Sequence, residues 1–451
     1  MPAALDQVFK AYDVRGIYPD QLDEELAERV GRAFVALTGA GTLAIGQDMR
    51  PSSKPMADAL AAGAMAQGAD VLRVGLCSTD MLYYVSGALD VAGVMLTASH
   101  NPARYTGLKL CRPGAVPVGE ESGLADIKRM VAAGEPAADA AERGRERQAD
   151  DLLERYAAHV RGFADRGALR PLKVVADAGN GMAGHVVPAV FAGLPFELVS
   201  MYFELDGSFP NHPADPLNPE NLRELQARVV AEGADVGLAF DGDADRVFLV
   251  DEQGATVPSS LVGALVARLM CEREPGATVL YNLICSRVVP ETIREAGGVP
   301  VRTRVGHSFI KGVMAETGAI FGCEHSGHYY FRDNYRADSG LIAALVTLDA
   351  LSRAGRPLSE VLAPYRRYAA SGEINRRVDD PGEVIGEVAG RYPAETSDFA
   401  DGLTVESADW WFNLRPSNTE PLLRLNVEAT TEAEMARVRD EVLEAVGGEP
   451  A

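Results

Sequence analysis

The sequence predicts an α/β protein of several domains, and three observations carry that prediction. Short apolar runs such as Val236–Phe240 alternate with amphipathic stretches such as Asn221–Glu232, which is typical of α/β domains with largely parallel sheets. The 451 residues are enough for about three or four domains. Polar or turn-rich breaks at 134–151, 251–254 and 365–372 divide the chain into four units.

The individual strands and helices follow from composition and periodicity. Strands are predicted where short runs rich in Val, Leu, Ile and Ala occur: Thr42–Ile45, Val71–Val74, Val91–Thr97, Leu172–Ala176, Val236–Phe240 and Val247–Val250. Helices are predicted in amphipathic stretches rich in Ala, Glu and Arg: Asp23–Leu37, Lys54–Gln67, Asn221–Glu232 and Leu261–Glu272. Two more are predicted, one buried around Leu341–Leu348 and one over Phe309–Glu316 with Ser308 as its N-cap. The polar segment Gly134–Asp151 is predicted to be a connector or a solvated helix.

The charge balance restricts the classes of partner. The chain has 43 Lys plus Arg and 65 Asp plus Glu, a formal net charge of −22. That balance argues against a general nucleic-acid binder and against docking on an anionic membrane surface. No apolar run reaches the ~18 residues of a spanning helix, so we expect neither nucleic acid nor membrane as a partner. The five cysteines include no CxxC pair, which favours a reducing cytoplasm over a disulfide scaffold.

A serine follows the predicted strand Val91–Thr97 at an exposed turn. The turn reads TASHNP over residues 97–102, so that Ser99 and His100 precede a proline, and Lys109 follows ten residues later. A serine near a base and a cation could be a nucleophile or a phosphate carrier. The local residues leave a polar turn with a capping serine equally open. A serine hydrolase is disfavoured, because there is no G-x-S-x-G elbow.

Three aspartates at alternate positions stand between two predicted strands. Asp241, Asp243 and Asp245 are followed by Arg246. Crowded carboxylates repel one another unless a cation neutralises them, and oxygen ligands suit Mg²⁺ or Ca²⁺ better than zinc. The loop partly matches an EF-hand, since Glu252 falls at its twelfth position, but an arginine stands where that loop needs Gly. The sequence therefore favours a metal loop, with a solvated acidic turn as the alternative.

The segment Gly179–Gly184 has the G-x-G-x-x-G spacing of a dinucleotide-binding loop, and Glu204 lies 20 residues beyond it. The preceding strand is followed directly by Asp177, which would put a carboxylate close to the pyrophosphate. A tight strand-to-helix turn needs glycines for backbone reasons alone. We therefore favour a structural turn here.

Two later loops combine polar side chains suited to a sugar phosphate. The loop Cys323–His328, which reads CEHSGH, offers a carboxylate, a hydroxyl and two imidazoles, and it leaves a polyol ligand and a zinc site open. The loop Arg415–Pro421, which reads RPSNTEP, offers a guanidinium, hydroxyls and an amide that can hold a phosphate. Taken alone, it could equally be a turn between two strands.

These motifs occur together and in a fixed order. The segments YDVRG, TASHNP, DGDADR, CEHSGH and RPSNTEP resemble the motifs of the α-D-phosphohexomutase superfamily, and the chain is most similar to its bacterial phosphomannomutase/phosphoglucomutase branch over essentially its whole length. The resemblance implies four domains around a central cleft, three related mixed α/β domains and a smaller C-terminal α+β domain. The implied boundaries are 1–146 with a phosphoserine loop, 147–249 with a metal-binding loop, 250–367 with a sugar-binding loop and 368–451 with a phosphate-binding loop.

The resemblance also implies an enzyme, an isomerase that interconverts hexose 1-phosphate and hexose 6-phosphate of mannose, glucose or both. Its expected route is a phosphoserine and a hexose 1,6-bisphosphate intermediate, with Mg²⁺ as cofactor. The implied metal ligands are Ser99, Asp241, Asp243 and Asp245. The implied catalytic residues are Ser99, His100, Lys109, Arg15, Arg246 and His307. The implied substrate-binding residues are Tyr12, Glu324, Ser326, His328, Arg415, Ser417, Asn418 and Thr419.

Two departures from the family pattern bear on specificity. The family's common sugar loop is Gly-Glu-Met-Ser-Gly-His, and this chain has Cys323 and His325 in place of Gly and Met. The retained Glu, Ser and His favour a hexose without an amino or N-acetyl group. Many relatives carry Lys where this chain has Ile284, so a contact is missing there or comes from Arg287.

The sequence leaves two alternatives to a mutase of neutral hexose units that uses a phosphoserine. One is a phosphoglucosamine mutase, and the other is phosphotransfer through an aspartyl phosphate at Asp241. The expected partners are small-molecule hexose phosphates. The choice between mannose and glucose, and between monomer and dimer, is also open.

Overall fold

Four β-sheets organise the chain, one in each of four domains. The computed structural model describes residues 2–393, 396–417 and 422–450, and for residues 2–4 and His307 it describes the backbone only. Domains 1, 2 and 3 combine helices with mixed sheets, and domain 4 has an antiparallel sheet with two helices among its described residues. The predicted four-domain α/β fold class is therefore confirmed.

Domain 1 positions the serine turn at the carboxyl edge of its sheet. Its elements are α1 (Pro2–Val8), β1 (Val14–Ile17), α2 (Glu24–Thr38), β2 (Thr42–Gln47), α3 (Ser53–Ala66), β3 (Asp70–Leu76), α4 (Thr79–Leu89), β4 (Ala92–Leu96), β5 (Tyr105–Arg112), β6 (Val116–Pro117), α5 (Leu124–Ala133) and β7 (Glu146–Gln148). The strand order is β1-β5-β4-β2-β3-β7, with β6 paired to β5. β4 is entirely buried and runs parallel to β2, so the serine turn follows at the edge where ligands bind in α/β sheets.

The polar segment Gly134–Asp151 differs from the prediction. It is largely exposed, but it contains β7, which pairs with the edge strand β3 in parallel. Residues in a short edge strand can all be polar, because neither face of the strand needs to be covered. The prediction of a solvated helix is therefore wrong, and a connector with an edge strand is found.

Domain 2 carries the aspartate loop between two central strands. Its elements are α6 (Leu152–Arg161), β8 (Leu172–Asp177), α7 (Ala183–Phe191), β9 (Phe196–Met201), α8 (Arg223–Glu232), β10 (Val236–Phe240), β11 (Val247–Asp251) and β12 (Thr256–Val257). The strand order is β12-β11-β10-β8-β9. β10 and β11 are wholly buried and antiparallel, and the loop between them is the aspartate loop. The sheet continues past residue 249, where the sequence puts the boundary, because β12 closes a hairpin on β11.

Domain 3 carries the CEHSGH loop. Its elements are α9 (Ser259–Arg273), β13 (Thr278–Asn282), α10 (Val288–Glu295), β14 (Val299–Thr303), α11 (His307–Thr317), β15 (Phe321–Cys323), β16 (Tyr329–Phe331), α12 (Gly340–Ala354) and α13 (Leu358–Leu362). The strand order is β14-β13-β15-β16. The buried segment Leu341–Leu348 lies in α12, as predicted. The N-cap of α11 is Gly306 rather than Ser308, because the backbone enters the helix two residues earlier, where a φ of +126° suits glycine.

Domain 4 is the smaller C-terminal unit. Its elements are β17 (Ala369–Arg377), α14 (Pro381–Ala389), β18 (Ser397–Asp398), β19 (Leu403–Glu406), β20 (Trp410–Pro416), β21 (Leu422–Ala429), α15 (Glu432–Val446) and β22 (Glu449–Pro450). The strand order is β18-β19-β20-β21-β17-β22. The RPSNTEP loop joins the antiparallel strands β20 and β21.

The apolar cores show how the domains are joined. One cluster of buried side chains runs through the first three domains and includes Met95, Val236 and Phe321. Domain 4 has a separate cluster, which includes Phe412 and Val442. Domains 1 to 3 therefore share a packed core that fixes their loops relative to one another. No helix in the described part of the chain combines the length and apolar composition that crossing a membrane requires.

Candidate active site

The turn after β4 holds Ser99 in a backbone conformation that residues with a Cβ rarely adopt. Its φ is +50°, and the residue is buried. Thr97 Oγ1 accepts a hydrogen bond from the Ser99 amide at 2.9 Å. The Ser99 hydroxyl donates to Asp241 Oδ2 at 2.7 Å and lies 3.3 Å from His100 Nδ1. The turn thus aims the hydroxyl from domain 1 at the aspartate loop of domain 2.

The aspartate loop is buried and is held by two cations. Lys109 from β5 donates to Asp243 Oδ2 at 2.7 Å and to Asp245 Oδ2 at 2.6 Å. Arg246 donates through Nε to Asp241 Oδ2 at 2.9 Å. The structure therefore brings the serine, the three aspartates and both cations into one cluster.

The carboxylates of this loop outnumber the two cations that pair with them. Three carboxylates face Lys109 and Arg246. Asp243 Oδ1 and Asp245 Oδ1 are buried and accept no hydrogen bond from any described residue. Buried carboxylate oxygens require a hydrogen bond or a cation, and the three aspartates can bring one oxygen each to within 4.8 Å of one another. The loop therefore fits a hard divalent cation such as Mg²⁺.

Burial and neighbouring charges shift the pKa values of Asp241 and Asp243 in opposite directions. Burial raises the pKa of Asp241 well above its usual range, although Arg246 opposes the rise. Burial would also raise the pKa of Asp243, but the Lys109 ammonium outweighs it and holds that pKa below its usual range. Burial alone would lower the pKa of Lys109, whereas Asp243 and Asp245 raise it well above its usual value. Lys109 is therefore a cation at physiological pH.

Two arginines and a histidine frame Ser99. Arg246 Nη2 contacts His100 Nδ1 and lies 3.5 Å from the Ser99 hydroxyl oxygen. Arg15 from β1 donates to Asn101 Oδ1 at 2.5 Å, in the same turn. Burial, followed by the charges of Arg246 and Arg15, lowers the pKa of His100 well below its usual value. His100 is therefore neutral beside the serine.

The CEHSGH loop joins β15 to β16 and packs against the aspartate loop. Arg246 and His328 form an isolated antiparallel bridge between the two loops. Ser326 Oγ lies 3.0 Å from His328 Nδ1, and His328 Nε2 lies 3.8 Å from Asp245 Oδ1. Ser326 and His328 are thus next to the cluster that contains Ser99.

Glu324, from the same loop, is only 2% exposed, and both of its carboxylate oxygens are engaged inside domain 3. Oε1 accepts from Asn282 Nδ2 at 3.2 Å and from the Gly306 amide at 3.1 Å. Oε2 accepts from the Tyr330 hydroxyl at 2.6 Å. A sugar hydroxyl that binds this carboxylate would have to join or replace one of these donors.

His325, which stands where the family commonly has Met, has a defined tautomer. Asn282 Oδ1 accepts from the Cys285 amide, so Asn282 Nδ2 is the group that donates to His325 Nδ1, at 3.1 Å. The proton of the neutral ring is therefore on Nε2. Burial, followed by the charge of Arg415, lowers the pKa of His325 to about 3.

Domain 4 contributes two guanidinium groups from a pair of facing residues. Arg415 in β20 stands opposite Arg424 in β21. Glu373 in β17 lies 3.1 Å from Arg415 Nη2 and 3.2 Å from Arg424 Nη1. Arg424 also donates to Ser417 Oγ at 3.4 Å. Such a cluster can bind a phosphate through charge-assisted hydrogen bonds.

Tyr12 of domain 1 lies where domains 1, 3 and 4 meet. Its ring contacts Phe309 edge-on with 6.1 Å between the centroids. A Cβ at Gly306 would lie 2.6 Å from the Tyr12 hydroxyl oxygen. Burial raises the pKa of Tyr12, and the charge of Asp401 in domain 4 adds to the rise.

Three of the predicted side chains lie outside the described residues. They are Asn418, Thr419 and the side chain of His307. Their predicted roles therefore remain predictions.

The glycine-rich segment Gly179–Gly184 is a structural turn that packs on the aspartate loop. A Cβ at Gly181 would lie 2.7 Å from the Gly242 carbonyl oxygen, so the close approach of the two loops requires glycine there. Asp177 Oδ2 lies 2.9 Å from His212 Nε2. These contacts support the structural interpretation over the dinucleotide one.

Arg287 connects domain 3 to domain 4. Its guanidinium donates to the carbonyl oxygens of Ser407, of Ala408 at 3.0 Å and of Trp410 at 3.1 Å. Ile284 packs in an apolar cluster with Trp411. The Arg287 guanidinium is thus engaged by main-chain carbonyls and does not join the Arg415 cluster.

Sequence reasoning missed three side chains of the site. Arg424 could have been found from the hairpin register, which places it opposite Arg415. Asn282 ends a parallel strand, where ligand contacts concentrate. Thr79 donates to Asp243 Oδ2 at 2.5 Å, and this contact between domains leaves no local signal in the sequence.

Comparison with known proteins identifies matches along nearly the whole chain. Four models of phosphoglucomutase/phosphomannomutase domains match in order. Alpha/beta/alpha domain I matches residues 6–137, domain II residues 154–254, domain III residues 258–368 and the C-terminal domain residues 373–445.

Individual relatives match over similar lengths. The chain is 41% identical to a protein of Xanthomonas campestris pv. campestris described as "Phosphohexose mutases", over 96% of this chain and 97% of the relative. It is 39% identical to a phosphomannomutase of Escherichia coli, over the same shares of both chains. Among solved structures, a phosphoglucomutase/phosphomannomutase family protein of Burkholderia thailandensis superimposes with a TM-score of 0.89 at 33% identity, covering 98% of this chain and 99% of that one.

Proposed function

This chain belongs to the phosphoglucomutase/phosphomannomutase family and is a phosphohexose mutase, an isomerase, and we propose that it works through a phosphoserine at Ser99. The observation that carries the proposal is the 2.7 Å contact of the Ser99 hydroxyl with Asp241, beside Lys109 and Arg246. A nucleophilic oxygen flanked by cations and by a candidate metal loop suits phosphoryl transfer. The substrates are the 1- and 6-phosphates of mannose, glucose or both.

Ser99 Oγ carries the phosphoryl group between two positions of the sugar. The 6-hydroxyl of hexose 1-phosphate attacks the phosphorus of phosphorylated Ser99, the bond from phosphorus to Ser99 Oγ breaks, and hexose 1,6-bisphosphate forms. The bisphosphate turns in the cleft. Ser99 Oγ then takes the phosphoryl group from position 1, and hexose 6-phosphate leaves. Each transfer depends on positioning and on electrostatic stabilisation.

The charged groups around Ser99 provide that stabilisation. Lys109 and Arg246 face the transferring group as fixed cations, and Arg15 and His100 orient the serine turn. The metal ligands are Ser99, Asp241, Asp243 and Asp245. When bound there, Mg²⁺ supplies further positive charge to the transferring phosphoryl group. The two carboxylate oxygens without a hydrogen-bond donor among the described residues support this assignment.

Proton transfer requires one acceptor and one donor. Lys109 and His307 are the candidates for proton transfer to or from the sugar hydroxyl. The two carboxylate partners of Lys109 raise its pKa and keep it protonated, so it acts as a cation and hydrogen-bond donor, which leaves the acceptor role to the histidine. We assign the acceptor role, toward the attacking sugar hydroxyl, to His307.

The rest of the cleft binds the sugar and its second phosphate. Glu324, Ser326 and His328 bind sugar hydroxyls, and Tyr12 is a further substrate-binding residue. The non-reacting phosphate is bound by groups of domain 4: Arg415, Ser417, Asn418, Thr419 and, in addition, Arg424. The paired guanidinium groups of Arg415 and Arg424 support this division of roles.

The proposal is tested on purified protein with a coupled assay and mass spectrometry. We expect phosphate on Ser99 in part of the population and turnover of mannose 1-phosphate or glucose 1-phosphate when hexose 1,6-bisphosphate is added as activator. Ser99→Ala should abolish that turnover, whereas Ser86→Ala, a buried serine away from the cleft, should retain it. Full turnover by Ser99→Ala would overturn the phosphoserine route.

The same samples separate the alternatives. A phosphate that hydroxylamine releases would be an acyl phosphate and would point to Asp241 as the carrier. Faster turnover of glucosamine 1-phosphate than of mannose 1-phosphate and glucose 1-phosphate would point to a phosphoglucosamine mutase.

We further propose a cytoplasmic location and four domains near the boundaries expected from the sequence, with domain 1 extended through β7 and domain 2 extended through β12. Five free, buried thiols support a reducing compartment. Limited proteolysis with mass mapping of the fragments tests the boundaries.

A further inference from the structure

Arg50 lies beneath the serine turn, between β2 and α3, and its side chain is completely buried. Its guanidinium donates hydrogen bonds to four main-chain carbonyl oxygens, three in the serine turn and one at the start of β5. The acceptors and distances are Ser99 at 2.8 Å, Asn101 at 2.7 Å, Pro102 at 2.9 Å and Tyr105 at 3.2 Å. One side chain therefore satisfies four carbonyl groups in and next to the serine turn.

The guanidinium is itself fixed from the opposite side. Arg50 Nε donates to Asp48 Oδ2 at 3.2 Å, and the Arg50 amide donates to Asp48 Oδ1 at 3.0 Å. Ser53 also donates to that aspartate. A buried ion pair is stable only when its remaining hydrogen-bonding groups are satisfied. Here those groups are satisfied by the serine turn, so the turn and the ion pair hold each other in place.

A loop of domain 2 covers the remaining face of this guanidinium. The Phe209 ring lies 5.0 Å from the Arg50 guanidinium carbon, in a cation–π contact. Gly207 approaches so closely that a Cβ there would lie 2.6 Å from Arg50 Cα. Arg50 is therefore clamped between the serine turn of domain 1 and a loop of domain 2.

Ser99 needs such support because its backbone is strained. A φ of +50° is disfavoured for a residue with a Cβ and persists only where the surroundings enforce it. The hydrogen bond from Arg50 to the Ser99 carbonyl oxygen enforces it on one side, and the Thr97 hydroxyl enforces it on the other.

We propose that Arg50 is a positioning residue for phosphoryl transfer, which holds the Ser99 turn in the conformation that aims the hydroxyl oxygen between Asp241 and Arg246. The inference rests on the proposed function, in which Ser99 carries the phosphoryl group. Arg50 does not touch the sugar, since the sugar and the second phosphate bind at the CEHSGH loop and in domain 4. Its loss therefore affects the rate of transfer rather than substrate binding.

The test compares Arg50→Met and Arg50→Lys with the wild type. We expect kcat to fall by about 10- to 100-fold in Arg50→Met, because small misplacements of a reacting group have effects of this size. KM for hexose 1-phosphate should stay within about twofold, since the substrate-binding loops are untouched. Transfer of labelled phosphate from hexose 1,6-bisphosphate to Ser99 should slow in parallel with kcat. Arg50→Lys should recover part of the rate, because an ammonium reaches fewer of the four carbonyls.

Arg161→Met is the matched control. Arg161 also donates to a main-chain carbonyl, that of Ala189 at 2.7 Å, but it lies on α6, outside the proposed site. We expect a lower melting temperature with unchanged kcat. A fall in kcat of similar size in this variant would show a merely structural effect and would overturn the proposal.

If Arg50→Met does not fold, the same criteria apply to Arg50→Lys and to Phe209→Leu, which removes only the ring over the guanidinium. Wild-type kcat and labelling in Arg50→Lys, with Ser99 phosphorylated, would overturn the positioning role alone. A wild type without phosphate on Ser99, together with full turnover by Ser99→Ala, would instead overturn the proposed function.

Discussion

At the scale of single residues, the site depends on buried charges that compensate one another. Lys109 bridges Asp243 and Asp245, and Arg246 is paired with Asp241. Each of these groups would be costly to bury alone, and removing one partner of a buried pair leaves an uncompensated charge. The same arrangement presents positive charge to a phosphate and leaves two carboxylate oxygens for a cation.

The first prediction concerns Lys109→Met. In EDTA we expect the variant to lose about 3–5 kcal/mol of stability, because two buried carboxylates lose their ammonium partner. MgCl₂ should raise the melting temperature more in the variant than in the wild type, since the cation then compensates more charge. Activity should fall by roughly 10²- to 10³-fold.

Thermal unfolding with EDTA or MgCl₂ and a coupled assay measure these effects. Lys54→Met, which removes an exposed pair with Asp58 on α3, serves as the control and should change neither quantity appreciably. An unchanged melting temperature of Lys109→Met in EDTA would contradict the prediction.

At the scale of secondary-structure elements, glycines set how closely neighbouring helices pack. α2 and α3 cover the first sheet and touch through their backbones. A Cβ at Gly63 would lie 2.1 Å from the Glu28 carbonyl oxygen, and one at Gly31 would lie 2.4 Å from the Leu60 carbonyl oxygen. α3 follows directly after Asp48 and Arg50, so the spacing of these helices also determines where the serine turn is supported.

The second prediction compares two glycine-to-alanine variants in helices. Gly63→Ala should destabilise the protein by about 1–3 kcal/mol, because the methyl group meets a main-chain oxygen that cannot move away. Gly386→Ala, at an exposed position of α14 with open space around it, should stabilise by about 0.5–1 kcal/mol through helix propensity. Urea unfolding followed by circular dichroism measures both, and equal effects of the two substitutions would refute the packing argument.

At the scale of the whole molecule, a buried carboxylate joins the first three domains. Asp80 of domain 1 accepts from the Tyr156 hydroxyl of domain 2 at 2.6 Å and from the Ser339 hydroxyl of domain 3 at 2.5 Å. Burial raises the pKa of Asp80 to about 6, although these hydroxyl groups oppose the rise. The contact lies in the shared core, so its protonation is linked to the stability of the assembled domains.

The third prediction is a pH dependence of stability. Because the folded-state pKa of Asp80 is raised, its contribution is fully present below about pH 4 and is lost as pH rises through about 6. The loss is at most ~3 kcal/mol, from about two pKa units. The stability difference between wild type and Asp80→Asn should therefore shift in favour of the variant across this range.

Chemical unfolding at several pH values between 4 and 8 measures that difference. Tyr156→Phe removes one donor to the carboxylate, and it should move the upper end of the transition to higher pH. Parallel stability curves for wild type and Asp80→Asn would contradict the raised pKa.

The structure shows that the basic side chains of this acidic protein are concentrated at particular sites. The net charge is −22, yet Arg15, Lys109 and Arg246 gather at Ser99, and Arg415 faces Arg424 in domain 4. An acidic protein can thus present local positive sites to an anionic substrate, which focuses binding in one place.

Much of the fold and site could be predicted from sequence because the responsible signals are local. The strand Val236–Phe240 has the predicted bounds, and helix α2 lies within one residue of its predicted bounds, since apolar periodicity and Asp23 as N-cap are properties of adjacent residues. The predictions that were wrong concern positions where two local structures are both compatible with the sequence, and contacts with the rest of the fold select one of them. Gly306 rather than Ser308 is the N-cap of α11, and part of the polar segment 134–151 forms β7 because the edge of β3 lies beside it.

The sequence by itself determined the order of the motifs, the chemical groups they carry and the class of fold. Only the tertiary structure decided which groups meet: Ser99 with Asp241, Lys109 with Asp243, and Arg415 with Arg424 and Glu373. It also revealed Arg50 under the serine turn and the engaged oxygens of Glu324. The reason is physical. Periodicity and capping act over a few residues, whereas these contacts join residues that are far apart in the chain and depend on how whole domains pack against one another.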